Sequence, residues 1–316
     1  MMKLLTLEQI KAALPSIDLM EAIEAGFVAY SEGRAVVPPV GELIMAQPPG
    51  DVHIKYGYIR GDEYYVIKVA SGFYDNPKLN LPSSNGLMLL FSQKTGELRS
   101  VLLDEGHLTD IRTAVAGAIA AKYLAPSVVL RIGIVGTGIQ ARLQLQYLSD
   151  VTSCREVMVW GRSEEKLAAY QADMAPLGFT IESTLNTPDI LATCNLIVTT
   201  TPATAPLLKA AGKLPHGLHI TAVGADTAHK QELDPAILQQ ADLVVADSIP
   251  QCLERGEIYQ AIKAGTIKQD TLLELGRVIL GKNPSRSSDN QITVADLTGV
   301  AVQDIQIAKA VYEMAG

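Results

Sequence analysis

The chain has 316 residues, 48% of them apolar, and a net charge of −8. That length exceeds what one hydrophobic core usually fills and points to two domains with room for a buried cleft, while the composition excludes a disordered or fibrous chain. The negative balance, with no Lys/Arg cluster interleaved with aromatics, argues against nucleic acid, and no apolar run reaches the roughly 18 residues of a membrane span.

From Thr6 to Ser31 the pattern predicts helix: Thr6-Leu7-Glu8-Gln9 reads as a cap, and Ile17, Met20, Ile23 and Phe27 recur at helical spacing. The period then shortens. Leu43 to Met45, Asp51 to Ile59, Tyr64 to Ala70, Gly86 to Ser92 and Leu98 to Leu103 alternate or run apolar between Pro/Gly-rich turns, the signature of an antiparallel sheet. An Ala-rich helix from Ile111 to Leu124 stops before Pro126. Strands follow at Val128 to Val135, Val157 to Trp160, Leu196 to Thr200, His219 to Val223, Leu243 to Ala246 and Ile292 to Ala295, most separated by helices, which implies a doubly wound parallel sheet. A last helix, Val300 to Met314, carries an apolar stripe of Val302, Ile305 and Ala308 and is expected to fold back onto the first domain.

Between the first of these later strands and its helix stands Gly136-Thr137-Gly138-Ile139-Gln140-Ala141. In that context the turn reads as a nicotinamide-dinucleotide site: Gly136 turns tightly, Gly138 lets backbone approach the pyrophosphate, and Ala141 lets helix and strand pack closely. The next strand ends in Trp160-Gly161-Arg162-Ser163, where an acid would select NAD(H); Arg162 suits a 2′-phosphate, so the reading is NAD(P)(H), leaning to NADP(H). Later strand ends should border the same cofactor, at Thr200 and Thr201 and at Val223, Gly224, Ala225 and Asp226.

Three charges lie in apolar surroundings: Lys68, Arg112 and Asp226. Each is costly to bury alone. Lys68 and Arg112 could clamp a substrate carboxylate, with Thr113 beside them in the helix, and Asp226 could serve as general acid/base; the bland alternatives are a snorkelling strand lysine, a helix-end arginine and a turn aspartate. Lys55 offers a second strand cation or simply an edge lysine. The remaining histidines, His107, His216, His219 and His229, lack metal spacing and read as surface or turn residues, so no metal is expected. Three scattered cysteines, Cys154, Cys194 and Cys252, show neither zinc spacing nor a disulfide framework, and the leader-free start fits a cytoplasmic protein.

Taken in order, Val66-Ile67-Lys68-Val69-Ala70-Ser71, Leu81-Pro82-Ser83-Ser84-Asn85-Gly86, Leu108-Thr109-Asp110-Ile111-Arg112-Thr113-Ala114, Gly136 to Ala141, Val223 to Asp226 and Leu297-Thr298-Gly299-Val300-Ala301-Val302-Gln303-Asp304 resemble the ornithine cyclodeaminase/μ-crystallin family over nearly the whole chain. The resemblance implies a homodimer, with an α+β substrate and dimerisation domain (1–112 with 300–316) built on an antiparallel sheet, and a Rossmann dinucleotide-binding domain (113–299). It implies that Lys68 and Arg112 hold the substrate carboxylate, that Asp226 is catalytic with Lys68 beside it, and that Gly299 borders the substrate. By the cofactor it places Ser83, Ser84, Arg112, Thr113, Ile139, Gln140, Arg162, Lys230 and Thr298.

Members usually carry an arginine where Pro38-Pro39-Val40-Gly41 stands here, so the clamp is altered, and Lys55 is the compensating cation. The acid that receives the distal amine of ornithine has no match. The expected activity is therefore hydride transfer to or from the α-carbon of a small α-imino or α-amino acid. The alternatives are ornithine cyclodeaminase itself and, from a different class, a non-catalytic dinucleotide-binding protein of crystallin type.

Overall fold

The structure, a computed structural model, describes residues 2–73 and 75–315. The chain divides into two compact units, Met1–Arg112 with Val300–Gly316, and Thr113–Gly299.

The first unit opens on strand β1 (Lys3–Thr6), where helix was expected from Thr6 onward. Helix α1 (Leu7–Ala13) begins at Thr6 with a reciprocal cap: the Gln9 N–H donates to the Thr6 hydroxyl at 3.4 Å and the Thr6 N–H to Gln9 Oε1 at 2.9 Å. The single long helix is corrected to two. Pro15 enters a 3₁₀ turn, and Asp18 starts a new helix, α2 (Leu19–Ser31), by accepting the Glu21 N–H at 2.9 Å.

Strands β2 (Ala35–Val36), β3 (Gly41–Met45), β4 (Gly50–Ile59), β5 (Tyr64–Phe73), β6 (Ser84–Ser92) and β7 (Leu98–Leu103) follow. Among the described residues they form with β1 a seven-stranded sheet ordered β1-β7-β6-β5-β4-β2, with β3 also on β4. It is antiparallel except for the β1–β7 pair.

Helix α3 (His107–Leu124) starts four residues before the expected Ile111. Glu105 and Gly106 turn the chain at positive φ (54° and 86°), and Asp104 Oδ2 then accepts the Leu108 N–H at 2.8 Å, a cap hidden in residues that read as loop. The unit boundary lies inside α3, after Arg112.

In the second unit the strands are β8 (Ile132–Val135), β9 (Glu156–Trp160), β10 (Thr180–Thr184), β11 (Leu196–Thr199), β12 (Thr204–Leu208), β13 (His219–Ala222), β14 (Gln231–Leu233), β15 (Leu243–Ala246), β16 (Leu273–Glu274) and β17 (Thr293–Asp296). The helices are α4 (Ile139–Leu148), α5 (Glu164–Met174), α6 (Thr187–Thr193), α7 (Pro235–Gln239), α8 (Ile249–Cys252), α9 (Gly256–Lys263) and α10 (Leu275–Ile279). Eight strands make a parallel sheet ordered β10-β9-β8-β11-β13-β17-β15-β16. Such a sheet is buried on both faces, which is why β8 is apolar throughout and β11 is apolar up to Thr199.

Strand β8 begins at Ile132 and not at Val128, because Asn195 holds the preceding segment as a loop: its Oδ1 accepts the Leu130 N–H at 2.8 Å and its Nδ2 donates to the Val128 carbonyl at 2.9 Å.

Helix α11 (Ala301–Met314) returns to the first unit, packing against α2, β4 and β5. Gly26 makes the close approach to α11 possible: a Cβ there would stand 2.9 Å from Gln306 Cγ and 3.1 Å from the Val302 carbonyl oxygen.

Candidate active site

The expected site residues fall into two sets, one in each unit. In the second unit, β8 leads into Gly136, whose φ of 126° suits glycine and whose Cβ, if present, would lie 2.6 Å from Thr200 Oγ1. Helix α4 then starts from Gly138, which brings no side chain to cap it, so its first-turn N–H groups at Ile139 and Gln140 are presented to an anion. Arg142 braces the turn: its Nη1 reaches the Thr137 and Gly138 carbonyls and its Nη2 an Asp173 carboxylate oxygen at 2.6 Å.

This turn borders a cavity of about 780 Å³ lined also by Trp160, Gly161, Arg162, Ser163, Lys166, Thr200, Thr201 and Pro202. The volume and the polar turn fit a dinucleotide. Arg162 follows the end of β9 and Lys166 lies in the first turn of α5, and both line the cavity.

Thr200 closes on the turn, its N–H and hydroxyl both reaching the Val135 carbonyl at 2.9 and 3.1 Å. Beyond β13, Val223, Gly224 and Ala225 lead to Asp226, whose Oδ1 lies 2.6 Å from Lys230 Nζ and whose side chain is 38% exposed, open enough to exchange a proton. Thr298 and Gly299 are held by Asp247: Oδ1 accepts the Thr298 hydroxyl at 3.0 Å and Oδ2 the Gly299 N–H at 2.6 Å. The Thr113 carbonyl is occupied by Gln144 Nε2 at 3.0 Å.

Under the loops of β11 and β13 lies a carboxylate that motif reading missed. Glu232 is fully buried and accepts from Thr199, Thr201 and Gly224; burial pushes its carboxyl up to about 7 while these donors pull it down. Glu257 accepts the backbone N–H groups of Glu232 and Leu233 at 2.6 and 3.1 Å, and burial holds it well above the usual carboxylate range. Among the described residues no group of histidine, cysteine and acid side chains could hold a metal. His219, expected at the surface or in a turn, is instead fully buried on β13 between the Thr293 and Thr221 hydroxyls at 2.8 and 2.9 Å.

In the first unit, β4 and β5 place Lys55 directly opposite Lys68 in register. The alternation of β5 turns Lys68 inward with Val66. Lys55 (7% exposed), Lys68 (2%) and Arg112 (5%) are all buried. Asp304 of α11 meets two of them: its Oδ1 accepts Arg112 Nε at 3.0 Å, and its Oδ2 lies 3.7 Å from Lys68 Nζ. Gln303 Oε1 accepts Arg112 Nη1 at 2.6 Å.

Asp104 is buried too, its carboxyl pushed up by burial and drawn down by the Leu108 N–H and the charge of Lys68. Lys55, Lys68 and Arg112 thus bring three buried cations to one unit, and Asp304 meets Lys68 and Arg112 there. Gln303 Nε2 and Asp304 Oδ2 are buried without a hydrogen-bond partner, polar atoms that a bound amino or imino acid could satisfy. Ser83 and Ser84 lie exposed at the start of β6 in this unit.

Gln303 and Asp304 close the Leu297–Asp304 motif, which predicts no role for either; the signal in the sequence is an acid inside an apolar helical stripe.

The model of the ornithine cyclodeaminase/mu-crystallin family matches residues 1–316. An uncharacterized cyclodeaminase of Sinorhizobium fredii is 41% identical over 99% of this chain and 96% of its own length. Among solved structures, an archaeal alanine dehydrogenase dimer with bound NAD superposes with a TM-score of 0.90 at 34% identity, covering 99% of this chain and 96% of that one. The iminosuccinate reductase of Paracoccus denitrificans in complex with NAD+ gives 0.89 at 32% identity, covering 99% and 96%. Whole-length agreement in sequence and in fold leaves one assignment: the chain belongs to the ornithine cyclodeaminase/mu-crystallin family.

Proposed function

We propose that this protein is an NAD(P)-dependent oxidoreductase that interconverts a small α-imino acid and the corresponding α-amino acid. The observation that carries the reading is the uncapped glycine turn on a dinucleotide-sized cavity, in a chain whose relatives include an alanine dehydrogenase and an iminosuccinate reductase solved with NAD. A bound nicotinamide supplies or accepts the hydride.

Lys68 and Arg112 hold the substrate carboxylate, each oriented by Asp304, and Lys55 adds positive charge for the same anion or for a second carboxylate. Asp226 gives or takes the proton at the substrate nitrogen; as an anion it favours the iminium, which accepts hydride more readily than a neutral imine. Lys230 Nζ stands 2.6 Å from the Asp226 carboxylate. Gly136, Gly138, Ile139 and Gln140 take the pyrophosphate, and Thr200, Thr201, Val223, Gly224, Ala225 and Thr298 border the cofactor, with Ser83, Ser84 and Thr113 assigned to it and Gly299 to the substrate. Arg162, with Lys166 near it, favours NADPH over NADH through the 2′-phosphate.

The test is to follow reduced cofactor, NADH and NADPH in parallel, against pyruvate, glyoxylate, oxaloacetate and cyclic ketimines, with ammonia or methylamine for the open-chain acids. Turnover with at least one, and its loss by two or more orders of magnitude in Asp226→Asn with cofactor affinity kept, is the expected result. A wild type inert towards the whole panel would leave a dinucleotide-binding protein. The similarity to a protein called a cyclodeaminase supports a second reading, and ammonia released from ornithine without net cofactor change would establish it.

A further inference from the structure

Glu232 takes no part in the acid–base chemistry proposed above, yet both of its carboxylate oxygens are engaged under the strand ends. Its Oε1 accepts the Thr201 N–H at 2.6 Å and the Thr201 hydroxyl at 2.8 Å; its Oε2 accepts the Gly224 N–H and the Thr199 hydroxyl, both at 2.8 Å. Two of the four donors are backbone N–H groups, one on each oxygen. A backbone N–H can only donate, so both oxygens must accept, and an amide in this place would turn its NH₂ towards one of them. Glu257 fixes the strand that carries Glu232 by accepting the N–H groups of Glu232 and Leu233.

The two loops meet at Gly224, where a Cβ would collide with the Thr201 backbone and with Glu232 Oε2. In the sheet, β9 lies on one side of β8, and β11 then β13 lie on the other. A dinucleotide laid across that switch point has its adenylate half towards β9 and its nicotinamide half towards β11 and β13. Both loops bound by Glu232 belong to the second side.

Resting on the dinucleotide reading, we infer that Glu232 is a positioning residue that locks the β11 and β13 loops into one surface, seats the nicotinamide half of the cofactor, and so fixes where Asp226 presents its carboxylate. Burial works against the ionised form that all four bonds require, so removing a single donor weakens the lock.

The experiment compares wild type, Glu232→Gln and Thr199→Val by titration calorimetry with ADP-ribose, which lacks the nicotinamide, and with NADH, and adds kcat and KM for whichever imino acid the wild type reduces. Glu232→Gln is expected to hold ADP-ribose within about twofold of wild type while losing about tenfold in NADH affinity, the loss of roughly one hydrogen bond, and to lower kcat more than it raises KM. Thr199→Val removes one donor at nearly constant shape, so the same selective loss, smaller, is expected even if Glu232→Gln does not fold. Equal weakening of both ligands, or unchanged NADH affinity in the folded variants, overturns the inference. A wild type that binds NADH and ADP-ribose but reduces no imino acid overturns the catalytic reading alone, since the ligand ratio still reports on Glu232.

Discussion

Inside the first unit a lysine and an arginine are buried because they share one acid. Lys68 and Arg112 were legible as charges in apolar runs, but Asp304 was not: on α11 it sits between Val302 and Ile305 and meets an arginine 192 residues away. Pairing across such a separation leaves no local pattern, and the same holds for Glu232, whose donors come from two segments, Thr199 with Thr201 and Gly224. Replacing Lys68 with Met should raise KM for the imino acid by about 10- to 100-fold, the value of a charge-assisted hydrogen bond, while leaving the NADH dissociation constant unchanged. Steady-state kinetics beside cofactor titration checks this, and an equal loss in both parameters would remove Lys68 from the substrate's side of the reaction.

At the scale of elements, periodicity carried the central strands and the long helices, because strands buried on both faces are apolar and helices carry stripes. It failed where a side chain or an edge set the boundary. Pro15 and Asp18 cut one helical run in two, Asn195 delayed β8, and β10, an edge strand with mostly exposed residues, has no apolar alternation to notice. Strand β13 carries a testable charge effect. Burial, and after it the charge of Arg286, pushes the His219 imidazole down to about 3. In the unfolded chain it titrates near 6.5. Between those values the unfolded state binds the proton and the folded state does not, so stability falls as pH drops from about 6.5 towards 3. Urea midpoints for wild type should therefore fall more steeply between pH 7 and 5 than those of His219→Gln, which can still meet Thr221 and Thr293. Parallel profiles would mean that His219 is protonated in the fold.

At the scale of the molecule, the first unit exposes consecutive large apolar residues on β3, Leu43 and Ile44, the latter 69% exposed, with Tyr56 and Tyr58 open on the adjacent β4. A strand that is apolar on both faces at a sheet edge is a liability unless a partner covers it. If copies of the chain associate through this edge, Ile44→Lys should lower the mass measured by light scattering coupled to size-exclusion chromatography; an unchanged mass at low micromolar concentration would place any such contact elsewhere.

Helix α11 gives the order of events on the ribosome a particular shape. The second unit is one contiguous stretch and can close its core once Gly299 has emerged, whereas the first must wait, with the inner face of its sheet bare and Arg112 lacking Asp304, until the final helix is made. Until α11 is made the first unit is the unfinished half, and that helix completes its core and the setting of its arginine together.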